Sequence, residues 1–159
     1  HLSGLIRSVR DLAYDLRPLA LDELGLARAV RMHCEEFADQ TGLTVDFSAA
    51  GLDGLALDTD TAINIFRLVQ EALRNVAKHA GADRVGVKLV ASHPHILARV
   101  EDDGQGFDPA ARKDQPGERR MGLQSMEERV LLLGGTFKVH SRPGQGTRIF
   151  AEIPVLGPR

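Results

Sequence analysis

Glu71, Asn75 and His79 fall at successive i, i+4 steps, so on a helix their side chains stack along one edge. A carboxylate, a neutral amide oxygen and an imidazole, with Lys78 beside them, can hold a hydrated divalent metal and touch phosphate oxygens. From these residues alone, a solvated polar helix face is the alternative. Three glycine-bearing stretches lie further along. In Glu101-Asp102-Asp103-Gly104-Gln105-Gly106-Phe107, Asp102 shares strand parity with Ile96, Ala98 and Val100. Its carboxylate therefore points to the covered face, where it needs a hydrogen-bond donor. The exocyclic amine of a purine would serve. Gly104 and Gly106 would let the backbone approach a flat ligand. In Arg120-Met121-Gly122-Leu123 a basic loop runs into a helix start, whose free N–H groups and dipole favour an anion. In Pro143-Gly144-Gln145-Gly146-Thr147, Thr147 has the parity of Ile149, Ala151 and Ile153 and so faces the same side as Asp102. Plain turns and an ordinary loop-to-helix junction are the competing readings of these three stretches.

The elements that must position these residues follow from periodicity. Thr59 to Ala80 reads as one long helix, with Ala62, Ile65, Phe66, Val69, Leu73, Val76 and Ala80 as its buried stripe and Asn64, Arg67, Glu71, Arg74, Asn75 and Lys78 opposite. Gly81 ends it. A helix from about Asp22 to Gln40 buries Leu26, Val30, His33 or Cys34, and Phe37, with His33 read as a core-edge residue, and Thr41-Gly42 stops it. Alternation predicts strands over Leu43–Ser48, Arg84–Ala91, His95–Asp102, Thr136–His140 and Thr147–Ile153. Leu123, Met126, Val130 and Leu133 mark a short amphipathic helix after a charged loop from Pro109 to Arg120. Leu2, Leu5, Val9, Leu12 and Leu16 form a heptad seam that Pro18 stops. The fold class is α+β: a two-layer α/β sandwich, with about five strands in a mixed, mostly antiparallel sheet covered by about three helices. Residues 1–18 read as the end of a preceding helix and its linker, 19–155 as one domain, and 156–159 as a tail.

Composition narrows the classes. A chain of 159 residues suits one domain with a real core. Net charge is −2 and aromatics are 4% without tryptophan, which argues against a nucleic-acid partner and a base-stacking surface. Cys34 is the single cysteine, so no intrachain disulfide forms and a zinc cluster is not expected. No apolar run reaches the length of a membrane span. There is no G-x-x-x-x-G-K-[ST] loop and no complete dinucleotide fingerprint. The start at His1 suggests a fragment of a longer chain.

Taken in order, these stretches resemble the ATP-binding catalytic domain of bacterial sensor histidine kinases, of the ATPase superfamily shared with gyrase, Hsp90-type chaperones and MutL. Gln70 to Ala80 resembles the family's N-box. Asp102-Asp103-Gly104-Gln105-Gly106 fits D-x-G-x-G, Gly122-Leu123-Gln124-Ser125-Met126 fits G-L-x-x-M, and Gly144-Gln145-Gly146-Thr147 fits the last glycine box. Leu16 to Leu26 resembles the linker after the dimerisation helices in the subgroup of nitrate and lipid-fluidity sensors.

The resemblance implies the Bergerat ATP-binding fold, with ATP and Mg²⁺ as ligands. It implies that Asp102 binds the adenine amine, that Asn75 ligates Mg²⁺, and that Glu71 acts as base or water-polarising group near the metal. Lys78 and His79 would lie by the phosphates. Gly104, Gly106, Gly122, Leu123 and Gly146 would line the cleft, with Thr147 at the adenine end and Phe107 to Met121 as lid. Implied partners are the dimerisation domain of the same kinase, a response regulator and a second copy of the full-length chain. The implied location is the cytoplasm, with membrane anchoring of the parent protein left open. The family's acceptor is a histidine followed by an acid. Here the six histidines precede Leu2, Cys34, Ala80, Pro94, Ile96 and Ser141, so the fragment is not expected to phosphorylate itself. The rival readings are an ATPase clamp of the gyrase or chaperone type and a serine kinase acting on an anti-sigma-factor antagonist. The short lid counts against the clamp, and the heptad seam with its Leu-Arg-Pro-Leu linker counts against the serine kinase.

Overall fold

The computed structural model describes residues 19–110 and 117–155. The heptad seam (2–16), the middle of the expected lid (111–116) and the tail (156–159) lie outside the described residues. A short helix α1 (Leu19–Leu24) precedes α2 (Leu26–Thr41), and β1 (Thr44–Ala50) follows. Next come α3 (Thr59–Asn75), a π-helical turn (Val76–Ala80), β2 (Arg84–Ser92) and β3 (His95–Asp102). Helix α4 (Glu118–Leu132), β4 (Thr136–Ser141) and β5 (Thr147–Pro154) complete the domain.

The strand order is β1-β2-β3-β5-β4. Only the β1–β2 pair is parallel; the other three are antiparallel. Helices α2, α3 and α4 lie side by side on one face, over β1, β3 and β4 respectively. The expected sandwich is therefore the observed one. Register explains why that face is covered. The rows Phe47–Val87–Val100–Ile149–Val139 and Ala49–Leu89–Ala98–Ala151–Phe137 run straight across the sheet. Against them α3 buries Ile65, Leu68, Val69 and Leu73 to 1% exposure or less. Each such side chain contributes about 1.5–3 kcal/mol of burial.

Local signals set the ends. The Asp58 carboxylate accepts the Thr61 N–H at 2.7 Å and starts α3. Gly42, at φ 76°, caps α2 with its N–H on the Ala38 carbonyl at 2.9 Å. Three expectations needed correction. The helix expected from Asp22 is two helices, because Gly25 takes φ 83° and breaks the first from the second. Arg67, expected on the polar edge of α3, is only 6% exposed, and its Nη1 donates to Gln70 Oε1 at 2.7 Å. With a helix on each side and the sheet beneath, α3 buries more of its circumference than one stripe. The last helix begins at Glu118, several residues before the expected start near Leu123, because Glu118, Arg119, Arg120 and Met121 are all good helix formers. His33 stands half-buried at the core edge as expected, edge-on to Phe66 at 5.6 Å between ring centroids. Burial holds its pKa below the usual imidazole range.

Candidate nucleotide site

One row at the end of the sheet departs from the apolar pattern: Val45–Val85–Asp102–Thr147–Ser141. Its last three members are polar and face the helices. Thr147 lies directly opposite Asp102, as shared parity predicts. Asp102 is 9% exposed. Its Oδ1 accepts the Gly104 N–H at 2.9 Å. Burial pushes the carboxyl pKa up; the Gly104 and Thr147 N–H groups pull it down, Asp103 raises it and the Arg119 charge lowers it, with burial dominant. A carboxylate has about four acceptor sites, so beyond these two N–H groups Asp102 can still accept from an amine on a planar ligand.

The surrounding backbone is fixed by close contacts. Ser141 Oγ accepts the Phe107 N–H at 2.9 Å, donates to the Gly146 carbonyl at 2.9 Å, and lies 2.9 Å from Thr147 Oγ1. The Gln105 N–H and Nε2 donate to the Ala80 and His79 carbonyls at 2.8 and 2.7 Å. A Cβ on Gly104 would strike the Ala80 carbonyl oxygen. That glycine serves the approach of loop to helix end and does not line the cavities below. Asp103, its neighbour, is structural: its carboxylate accepts the Asp83 and Arg84 N–H groups at 2.9 and 3.0 Å.

Two adjoining cavities share Asn75 and His79. The first, about 20 Å³, is walled by Asp102, Gly106, Thr147, Leu123, Phe107 and Arg119, over Val100 and Ile149. The second, about 280 Å³, is lined by Glu71, Lys78, Met121, Gly122 and Ser125 together with Arg74. Thus Asn75, His79, Asp102, Gly106, Leu123 and Thr147 meet around one space, and Glu71, Asn75, Lys78, His79 and Gly122 around the other. Gly146 lines a separate cleft beside Asp102 and Thr147.

Two corrections apply here. The Glu71–Asn75–His79 ladder is α-helical only through its first step, because Val76–Ala80 forms a wider π turn; all three side chains still reach the second cavity. Gly122 does not open the N-terminus of its helix but sits inside α4. There it lets α4 lie against α3, since an added Cβ would come 2.5 Å from Glu71 Oε1 and 3.0 Å from Asn75 Oδ1.

That contact also shows two hard oxygens, one helical turn apart, converging beside the cavity that Arg74, Lys78 and His79 help line. Among the described residues the buried Asn75 Nδ2 finds no hydrogen-bond partner. Among the described residues no cluster of three or more His, Cys, Asp or Glu side chains could hold a metal by itself. A cation here would need substrate oxygens to complete its shell. Magnesium binds in this way, with one or two protein oxygens plus phosphates and waters, and the donor set fits it.

Sequence reasoning missed Phe107 and Arg119. Arg119 is 7% exposed. Its guanidinium stacks on Phe107 at 4.8 Å from the ring centroid and its Nη2 donates to the His79 carbonyl at 2.8 Å. The signal was present: Arg119, Leu123, Met126 and Val130 follow helical spacing, a stripe obscured by assigning Arg119 to a loop.

The family model described as histidine kinase-, DNA gyrase B-, and HSP90-like ATPase matches residues 60–157. The signal transduction histidine-protein kinase/phosphatase DegS of Brevibacillus brevis is 39% identical over 150 residues, 94% of this chain and 38% of the relative. The sensor histidine kinase MctS of Rhizobium johnstonii is 37% identical over 154 residues, 96% of this chain and 32% of the relative. The chain thus spans about a third of the length of these relatives. Among solved structures, the histidine kinase domain from the Erythrobacter litoralis EL346 blue-light activated histidine kinase superposes with a TM-score of 0.65 and 27% identity, covering 82% of this chain and 61% of that one.

Proposed function

The chain belongs to the histidine kinase-, DNA gyrase B-, and HSP90-like ATPase family, an ATP-binding domain family, and we propose that it is the catalytic domain of a sensor histidine kinase. Residues 19–155 bind ATP and present its γ-phosphoryl group to a histidine on a dimerisation domain whose last helix would end, with its linker, in residues 1–18. A response regulator then takes the phosphoryl group from that histidine onto an aspartate. The full-length protein acts as a homodimer on the cytoplasmic side.

The observation that carries this reading is the pair of cavities meeting at Asn75, one ending in the buried Asp102 acid and the other in the Glu71–Asn75 oxygens. In the first, the adenine amine donates to Asp102 while Gly106, Leu123 and Thr147 border the ring. In the second, Lys78 and His79 neutralise phosphate oxygens. Glu71 and Asn75 would hold Mg²⁺, which when bound draws charge from the phosphates. Glu71 also orients a water or accepts a proton near the reacting group. Phosphoryl transfer asks mainly for positioning and charge neutralisation, and these side chains can supply both.

The test is transfer in trans. The 159-residue chain, radiolabelled ATP and a separately supplied dimerisation domain bearing its acceptor histidine should give acid-labile, base-stable label on that histidine. Label that never appears, although ATP binds, would refute the kinase reading.

A further inference from the structure

We propose that Arg119 is a tethered plug of the nucleotide base pocket: its guanidinium occupies the place of the purine in the ligand-free domain and must withdraw before the base can enter. The inference rests on the reading that Asp102 receives the amine of a base. Four observations carry it. The cavity that contains Asp102 holds only about 20 Å³, far below the roughly 300 Å³ or more of a typical small-molecule site. Arg119 is one of its walls and is 7% exposed although it lies in the first turn of α4. Its guanidinium is held on both sides, by the Phe107 ring at 4.8 Å and by the His79 carbonyl at 2.8 Å. It also lies close enough to Asp102 for its charge to act on that carboxylate. A guanidinium is flat, carries only donors and stacks on aromatic faces. Adenine shares the flat, stacking face, and its exocyclic amine likewise donates toward a carboxylate.

The consequence is a population shift. Nucleotide binds only the open state, so the apparent dissociation constant exceeds the intrinsic one by the inverse of the open fraction. A cation–π contact and a charge-assisted hydrogen bond together favour the closed state on the order of tenfold. Because Gly122 packs on Glu71 and Asn75 from the same helix, withdrawal of Arg119 would be transmitted to the phosphate end. Base entry and metal-site geometry are thereby coupled.

The experiment titrates the whole chain with adenosine and with ADP without metal, by calorimetry and by stopped-flow with a fluorescent ADP. It compares wild type, Arg119→Ala, Arg119→Lys and Asp102→Asn. Arg119→Ala should tighten both adenosine and ADP by about three- to thirtyfold and raise the association rate. Arg119→Lys should fall between, since lysine keeps the charge but not the planar fork. The ligand-free melting temperature should fall while the ADP-induced rise grows. Unchanged affinity for adenosine in Arg119→Ala would overturn the plug. Weaker ADP with unchanged adenosine would make Arg119 a phosphate contact and also overturn it. Undiminished binding in Asp102→Asn would instead overturn the site assignment beneath it, a separable outcome.

Discussion

Asp102→Asn separates recognition from folding. Asn keeps an acceptor for the Gly104 N–H, which lies 2.9 Å from Asp102 Oδ1, so the turn has no reason to open. Asn also replaces one oxygen by an NH₂ donor, and a donor facing the adenine amine leaves both unsatisfied in a site that is 9% exposed. A hydrogen bond to a charged group is worth about 1.5–3 kcal/mol, and an unpaired buried polar group costs about 1–3 kcal/mol. Together these predict a loss of roughly 2.5–6 kcal/mol, or about seventyfold to some twenty-five-thousandfold in affinity. Stability should move the other way. Burial raises the folded-state pKa of this carboxyl above its ordinary value, so the folded chain holds the proton more tightly than the unfolded one. Stability then falls as pH rises from the ordinary carboxylate pKa to the raised one, and above that window the cost is fully present. At neutral pH the Asn variant should therefore melt at or above the wild-type temperature, and its advantage should vanish in acid below the ordinary value. Calorimetric titration with ADP and melts across pH measure both. A loss of affinity under about tenfold, or a drop in melting temperature at neutral pH, would refute the argument.

Other perturbations address the remaining parts. Asn75→Ala should weaken binding of ADP with Mg²⁺ more than binding without it; equal losses on titration would remove it as a metal ligand. Gly122→Ala forces a Cβ to within 2.5 Å of Glu71 Oε1, so it should depress Mg²⁺-dependent affinity by about tenfold or more with less effect on adenosine, and wild-type behaviour would contradict the packing of α4 on α3. Cys34 is 2% exposed and burial pushes its thiol pKa to about 12. It should resist iodoacetamide at pH 8 until the chain is denatured, and prompt native labelling seen by mass spectrometry would contradict its burial.

How much was legible in the sequence follows from which signals are local. Strand parity alone placed Asp102 and Thr147 on the covered face, and they are register partners. All five strands lie within a few residues of their expected bounds, because alternation against a single covering layer is unambiguous. Helical spacing put Glu71, Asn75 and Lys78 beside one cavity. What failed depended on context several residues or elements away. The extra turns of α4 before Gly122 were hidden because a mid-helix glycine looks like a boundary until Glu71 and Asn75 are seen pressed against it. Arg67 looked solvent-facing because a periodicity plot does not know that α3 has neighbours on both flanks. The role of Gly104 as a backbone contact for Ala80 joins two segments far apart in sequence, and no local pattern contains it.

On the proposed reading a buried acid recognises the amine of a purine held between the sheet and α3. ADP and inosine diphosphate differ at the edge that Asp102 would meet: inosine carries a carbonyl oxygen where adenosine carries the amine. Isothermal titration of the wild-type chain should show saturable, one-to-one binding of ADP and binding of inosine diphosphate weaker by about two orders of magnitude or more, as expected when a buried acceptor faces another acceptor. Equal affinity for the two would contradict the account at its base.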